Sequence, residues 1–342
     1  MTDNSISVII PAHNAEKTIT SALQSVLGQT HPAEEIIIAI DSSTDSTSDI
    51  VESFAKDLLK KTFEGSSSDA ISKLDIIYTD YASPSEARNA AIDKSTCALI
   101  AFLDADDIWA PDKTALQLEI MESYRQYSVV CSDWTVKLSD LVEGVILDPN
   151  GKRKYDFDVI TRDDLLILNR FQTSTVIMKR SVIDAVGHFD RNLDGAEDWE
   201  FWIRSGRVSD IAKINLPLVY YRNNPAGYSK NLKRHYLAAR QIIANELPTK
   251  AVTQGKNRPQ QSVIVTRSPA GYGKISCATK EVRSWHYLRF LVAFLLIKEY
   301  ANAAFCLRDL LKDRSPYASL QAGRKLLYPF LKKRKQKRSS TR

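Results

Sequence analysis

ALIAFLDADD, residues 98–107, is the stretch on which the fold turns: six apolar residues in a row, then three carboxylates within four positions. A short, wholly apolar run bounded by polar residues reads as a strand covered on both faces, the kind that parallel sheets use. Residues two apart on an extended chain face the same side, so Asp104 and Asp106 point into one space. Ligands of open α/β sheets bind beyond the carboxyl ends of the strands. Carboxylates gathered there repel one another unless solvent, a cation or a basic partner intervenes. Hard oxygen donors of this kind suit Mg²⁺ or Mn²⁺. The plainer reading is a turn whose aspartates cap the helix that starts near residue 112.

The same alternation extends to both sides. Strands are expected at 7–10, 35–40, 74–78, 98–104 and 129–134, with helices at 15–27, 47–60, 86–94 and 112–127 between them and a Ser-rich loop at 61–73. Strands alternating with helices predict a mostly parallel sheet covered by helices. Residues 175–180, 181–186 and 196–206 continue this domain. Helical patterns return at 231–246 and 280–331, and 247–275, rich in Pro, Gly, Gln and Lys, reads as a linker or mobile loop. The expected organisation is a domain over 1–230, a helix and linker over 231–275, a helical accessory region over 276–330 and a basic tail over 331–342.

Composition sets limits on function. The 342 residues are 44% hydrophobic and 26% charged, ordinary for a globular protein and enough for one large α/β domain with additions. The net charge of +6 resides in residues 331–342, which hold seven basic residues and no acidic one. Without them 40 basic residues face 41 acidic ones, so the body shows no bias toward nucleic acid. Cys97, Cys131, Cys277 and Cys306 form no C-x-x-C pair and read as buried free thiols of a reducing compartment. The N-terminus lacks the basic and apolar regions of a signal peptide. The longest apolar run, 290–297, is eight residues, far below the ~18 or more of a spanning helix. A cytoplasmic location is expected, peripheral on the inner face of a membrane if the tail binds anionic lipid.

Three more polar clusters follow strands or open helices. Ile40-Asp41-Ser42-Ser43-Thr44-Asp45 follows the second strand; its short side chains can cap the next helix, and Asp41 could accept a hydrogen bond from a base or ribose. Ala87-Arg88-Asn89 lies near a helix start, where the Arg fork matches phosphate geometry. Glu197-Asp198-Trp199 opens another helix, where an Asp is a cap or a rigidly held base.

Together these clusters resemble glycosyltransferase family 2, of GT-A fold, over about residues 5–225. The opening strand and turn of that family appear as Ser7-Val8-Ile9-Ile10-Pro11-Ala12-His13-Asn14. Its Asp-Asp-Gly-Ser-x-Asp loop appears as residues 40–45, with Ile40 and Ser42 in place of the first Asp and the Gly. Its Leu-Asp-x-Asp-Asp motif is 103–107, and Val186-Gly187-His188-Phe189-Asp190 is similar to the segment that leads into its Glu-Asp motif. The resemblance implies a GT-A, Rossmann-like, mostly parallel sheet with a C-terminal helical extension. It also implies a metal-dependent inverting transferase that moves a single sugar from a nucleoside-diphosphate sugar to a hydroxyl acceptor in polysaccharide, glycolipid or cell-surface glycan synthesis.

The residue roles it implies are these. Asp106, with Asp104, holds Mg²⁺ or Mn²⁺; Asp104 lies near the ribose, and Asp107 supports either. Pro11, Ala12, His13 and Asn14 line the nucleoside, Asp41 bonds the base, and Arg88 steadies the nucleotide. Asp198 is the general base, flanked by Glu197 and Trp199, with Thr173, Ser174, Trp199 and Trp202 as candidates for an acceptor wall, although a core position is the better expectation for both Trp residues. A UDP-sugar is the favoured donor, with a glycan or lipid-linked hydroxyl as acceptor, an anionic membrane surface against 332–338, and no nucleic acid. The alternative is an inactive descendant of the same fold that binds nucleotide sugar or membrane. A sugar nucleotidyltransferase would need a Gly-rich loop where 11–14 stand. The Gln-x-x-Arg-Trp motif of processive synthases is absent.

Overall fold

The computed structural model describes residues 4–63, 73–142, 144, 155–224, 231–247, 263–267, 274–312 and 316–327. Two compact units emerge: Met1–Ile160, Arg170–Asn192 and Phe201–Pro225 make the first, and Thr161–Asn169, Leu193–Glu200 and Ala226–Arg342 the second.

The first unit is built on a nine-stranded sheet. Its strands are β1 (Ile6–Ala12), β2 (Glu35–Asp41), β3 (Lys73–Thr79), β4 (Leu99–Phe102), β5 (Ile108–Trp109), β6 (Val129–Thr135), β7 (Phe157–Ile160), β8 (Ile177–Lys179) and β9 (Ile211–Tyr220). The order is β3-β2-β1-β4-β8-β6-β9-β5, with β7 also on β9. β3, β2, β1 and β4 run parallel, as do β6 and β9; β8 is antiparallel to both its neighbours, and β5 and β7 are antiparallel to β9. β2 and β4 are buried throughout, which is why they read as continuous apolar runs without alternation. The sheet is covered by α1 (Ile19–Leu27), α2 (Thr47–Phe63), α3 (Pro84–Lys94) and α4 (Lys113–Ser123).

Three differences from the sequence reading have local causes. α1 starts at Ile19 rather than 15, because the Ala15 and Glu16 amides are taken by the Thr47 hydroxyl (2.7 Å) and an Asp45 carboxylate oxygen (3.1 Å). α3 starts at Pro84, with Pro tolerated in the first turn and Ser83 as cap. β9 has no strand pattern of its own in the sequence because Pro217 interrupts it. Proline is confined to edges and irregularities in sheets, and the β6–β9 register slips at Asp133, opposite Pro217.

The second unit takes in α5 (Arg162–Ile167), which follows a Thr161–Asp164 capping box. α6 (Arg180–Val186) belongs to the first unit, and α7 (Glu197–Ser205) begins in the second unit and ends in the first. α8 (Leu232–Glu246), α9 (Thr279–Leu296), α10 (Tyr300–Lys312) and α11 (Pro316–Ala322) complete the second unit. Within the expected linker 247–275, β10 (Val263–Arg267) pairs antiparallel with β11 (Lys274–Ala278), while 248–262 and 268–273 lie outside the described residues. α9 is pinned on α5: Trp285 Nε1 donates to Ile167 O (2.8 Å), and His286 Nε2 meets Leu166 O (2.6 Å). Burial, then the Arg289 charge, pushes the His286 pKa well down, so this is a neutral core imidazole. All four cysteines are buried and free. No helix among the described residues is long and apolar enough to cross a membrane.

Candidate active site

Register brings the motifs to one edge. Ala12 of β1 stands beside Ile40 of β2, and Ile9 of β1 beside Phe102 of β4. The carboxyl ends of three parallel strands therefore release residues 11–14, 41–45 and 103–107 side by side.

The acidic motif is held differently at each position. Asp104 is half-buried, and its Oδ1 accepts from Arg88 Nη2 at 2.7 Å. Arg88 is buried in α3, which packs on β1 and β2, and its guanidinium lies 5.6 Å from the Phe189 ring centroid. Asp107 is buried: Ser174 Oγ donates to its Oδ2 (2.6 Å) and the Arg222 amide to its Oδ1 (3.0 Å). Burial, then the Asp104 and Asp106 charges, pushes the Asp107 pKa well up, against those two donors. Among the described residues, the Asp106 carboxylate accepts a hydrogen bond from its own backbone amide and from no other residue. Burial, then the neighbouring Asp104 charge, raises it to about 6, opposed by Arg222 and Arg88. Arg222 Nε caps the Asp106 carbonyl (3.0 Å).

Ser174 is the hub below. Besides bonding Asp107, its hydroxyl accepts from the Asp104 amide (3.0 Å), and its carbonyl accepts from Trp109 Nε1 (2.8 Å). It was expected at an acceptor wall; it is fully buried and braces the acidic loop, and Thr173 is buried beside it. Among the described residues no group of three or more His, Cys, Asp or Glu side chains is arranged to hold a metal ion. The strand end offers two, Asp104 and Asp106. That set fits Mg²⁺ or Mn²⁺, since such ions are held by one or two carboxylates with substrate phosphates and water completing the shell.

On the neighbouring strand ends, His13 Nδ1 lies 2.7 Å from Asp41 O, and Asn14 Oδ1 accepts from the Thr44 amide (2.8 Å). His13 and Asn14 are exposed. Asp41, expected to bond a base, is buried and already occupied. Its Oδ1 accepts from Thr79 Oγ1 (2.9 Å) and the amides of Tyr81 (2.9 Å) and Ala82 (3.2 Å), and its Oδ2 from the Ser83 amide (2.9 Å). It is the clamp of the turn between β3 and α3.

Asp198 and Glu197 lie in the second unit, at the first turn of α7. Asp198 Oδ2 accepts from Asn169 Nδ2 (3.0 Å) and its Oδ1 from the Trp199 amide (2.7 Å). Glu197 is buried. Trp199, placed near substrate by the sequence reading, is 4% exposed, donates Nε1 to Leu165 O (2.6 Å) and packs 5.1 Å from the His286 ring. Trp202 is fully buried among Phe102, Phe171, Phe189 and Phe201. Both indoles are core residues.

Arg222, Asn169 and the bracing role of Ser174 escaped the sequence reading. Arg222 carried one signal, its place just after an apolar run that ends in Tyr220 and Tyr221; Asn169 carried none.

Residues 7–186 match the family model described as Glycosyl transferase family 2. The chain belongs to glycosyltransferase family 2. Among its relatives, UDP-Glc:alpha-D-GlcNAc-diphosphoundecaprenol beta-1,3-glucosyltransferase WfgD of Escherichia coli is 26% identical over 254 residues, 72% of this chain and 90% of that protein. S. aureus TarS 1–349 in complex with UDP-GlcNAc is similar with a TM-score of 0.61 at 16% identity, over 98% of this chain and 92% of that one. The same TarS fragment in complex with UDP aligns at 0.52 and 21% identity, over 71% of this chain and 66% of that one. Mannosyltransferase PcManGT from Pyrobaculum calidifontis, in complex with GDP-Man and Mn²⁺, aligns at 0.54 and 16% identity, over 92% of this chain and 85% of that one. These structural likenesses establish the GT-A fold.

Proposed function

We propose that this family 2 chain is a metal-dependent, inverting transferase that moves a single sugar from a nucleoside-diphosphate sugar to a hydroxyl acceptor in glycan synthesis. The observation that carries the reading is the pair of half-buried carboxylates at the end of β4. Asp104 is matched by Arg88, while Asp106 has no side-chain donor, only its own backbone amide, and is raised to about 6 by burial and its neighbour. Carboxylates in that condition favour a cation.

Asp106, with the Asp104 oxygen that Arg88 leaves open, would hold Mg²⁺ or Mn²⁺. Once bound, the ion would supply Lewis acidity and charge neutralisation at the leaving diphosphate, an effect of several kcal/mol. Residues 11–14 line the nucleoside, and Asp41 acts on that end by fixing residues 79–83. Arg88 orients Asp104 toward the ribose, and Asp107 stiffens the loop through Ser174 and Arg222. Asp198 takes the proton of the attacking hydroxyl as the new bond forms, its carboxylate held in orientation by Asn169 and the Trp199 amide. One base with no second carboxylate nucleophile gives a single displacement with inversion. The WfgD name favours a UDP-sugar donor and a lipid-diphosphate-linked acceptor; the basic residues of 332–338 suit a place for that reaction at an anionic membrane face.

The test is Mn²⁺-dependent release of nucleoside diphosphate from a panel of donors. Asp198→Asn is expected to cut turnover by about 10²–10⁴ while donor binding persists. Asp106→Ala is expected to abolish the metal-dependent thermal stabilisation by donor. A chain that neither binds nor turns over any donor, or whose stabilisation survives Asp106→Ala, overturns the reading.

A further inference from the structure

Among the described residues, α9 and α10 of the second unit carry exposed apolar surface. α10 buries one face through Ala303, Cys306 and Asp309, the last bonded to Tyr236 (2.6 Å) and paired with Arg240 (2.9 Å). A second face carries Tyr300, Ala304, Leu307 and Leu311, all exposed. The spacing i, i+4, i+7, i+11 holds them within about 60° of arc along about 16 Å of helix. Tyr300 is 65% and Leu311 68% exposed, and Leu296, at the end of α9, is 66% exposed, with Ile297 exposed beside it. An apolar row of this length on exposed helix is the mark of an interaction surface.

The charges around the row select the occupant. Lys298, Arg308 and Lys312 are exposed alongside it, and Glu299 is the one exposed acidic residue from 296 to 312. On the wheel, Arg308 and Lys312 fall on one flank of the stripe. The chain then runs on to residues 331–342, with seven basic residues and no acidic one. Apolar side chains flanked by Lys and Arg, on a helix too short and too polar to span, are the chemistry of in-plane docking on anionic lipid. A second copy of the chain would bring these cations against their own kind.

We propose that the stripe Tyr300, Ala304, Leu307 and Leu311, with Leu296 and Ile297 at its head, seats the second unit on an anionic bilayer. Its purpose rests on the lipid-linked acceptor reading above; its geometry does not.

The experiment is flotation of the full chain with vesicles of phosphatidylglycerol and phosphatidylcholine, against phosphatidylcholine alone. Tyr300→Ser, Leu307→Ser and Leu311→Ser are combined in one variant. Leu138→Ser, an exposed apolar residue of the first unit, is the control. The parent is expected to float with the anionic vesicles only. The triple variant is expected to bind at least about tenfold more weakly, and the control to match the parent. A triple variant that floats like the parent, or a parent that does not float, overturns the proposal. So does a lipid-free parent that is dimeric where the triple variant is monomeric, because a second copy then covers the stripe. Metal-dependent nucleoside diphosphate release, measured without vesicles, is expected to be equal in all three chains. Lost flotation with intact release therefore indicts docking alone, and release absent from the parent indicts the transferase reading.

Discussion

Ser42 stands where the family places glycine, and its φ of +51° shows why glycine suits the position. The left-handed region costs a residue with a Cβ roughly 1–2 kcal/mol. Ser42 gains little in return: its amide bonds Thr79 O (2.9 Å), which glycine would keep, and its hydroxyl bonds nothing among the described residues. Asn14 at +48° and Ala82 at +51° sit in the same condition on the loops after β1 and β3. Strained backbone of this sort clusters where loops are held for function, and here the Asp41 carboxylate does the holding, with three backbone amides on its two oxygens. Ser42→Gly is expected to stabilise the chain by about 0.5–1 kcal/mol, the relieved strain less the added unfolded-state freedom. The check is chemical denaturation of both chains. A lower midpoint for Ser42→Gly would mean that the turn does not need its left-handed residue.

At the scale of elements, α3 couples the acidic motif to the aromatic core. Arg88 reaches Asp104, and the next residue, Asn89, pins another segment: Nδ2 donates to Phe189 O (2.9 Å) and Oδ1 accepts from the Phe189 amide (3.0 Å). Phe189 in turn stacks on Phe201 at 4.2 Å and meets Phe102 edge-on at 5.6 Å, just before the acidic motif. Asn89→Ala leaves two buried backbone groups of Phe189 without partners, so a loss of about 2–4 kcal/mol is expected. Near-ultraviolet circular dichroism of Phe189 and Trp202, 6.1 Å apart, is expected to weaken with it. A loss below about 0.5 kcal/mol would remove the pin from the account. Five strands of the sheet and the helices between them were legible: β1, β2 and β4 because burial on both faces leaves continuous apolar runs, and the half-buried β3 and β6 because short β-branched runs stand between polar loops. β9 was hidden by Pro217, and β5 and β7 by lengths of two and four residues, too short for any period to register. The Thr161–Asp164 box before α5 is a local signal, carried by two side chains three residues apart. At the site, Asp104, Asp106 and Arg88 announced themselves as charges at strand and helix ends. The occupation of Asp41 did not, because three of its four partners are backbone amides 40 to 42 residues away, which no side-chain pattern encodes, and the fourth is the hydroxyl of Thr79.

For the whole molecule, the sheet of the first unit has an acidic end and an anchoring end, and the two respond to pH differently. The carboxyl end collects carboxylates that repel, and Asp106 is raised to about 6. The amino end does the reverse. Glu35 opens β2 opposite Ser7 of β1, and its carboxylate accepts from Ser7 Oγ (2.5 Å), Thr96 Oγ1 (2.5 Å) and the Thr96 amide (2.8 Å), tying β1, β2 and the approach to β4. Burial alone would raise this carboxyl, but the hydrogen bonds from Ser7 and Thr96 outweigh it and hold the pKa at about 2, against 4.5 when unfolded. The folded value lies below the unfolded one, so Glu35 stabilises fully above about pH 4.5 and its contribution disappears as pH falls toward 2. A shift of this size corresponds to at most roughly 3 kcal/mol. Glu35→Gln is therefore expected to lower stability by about 2–3 kcal/mol at pH 7 and by progressively less on acidification, the two curves converging near pH 2. Urea denaturation of the parent and Glu35→Gln chains from pH 7 to pH 3 decides it. A difference that stays constant over that range would mean that the loss comes from packing rather than from the ionised carboxylate that joins these strands.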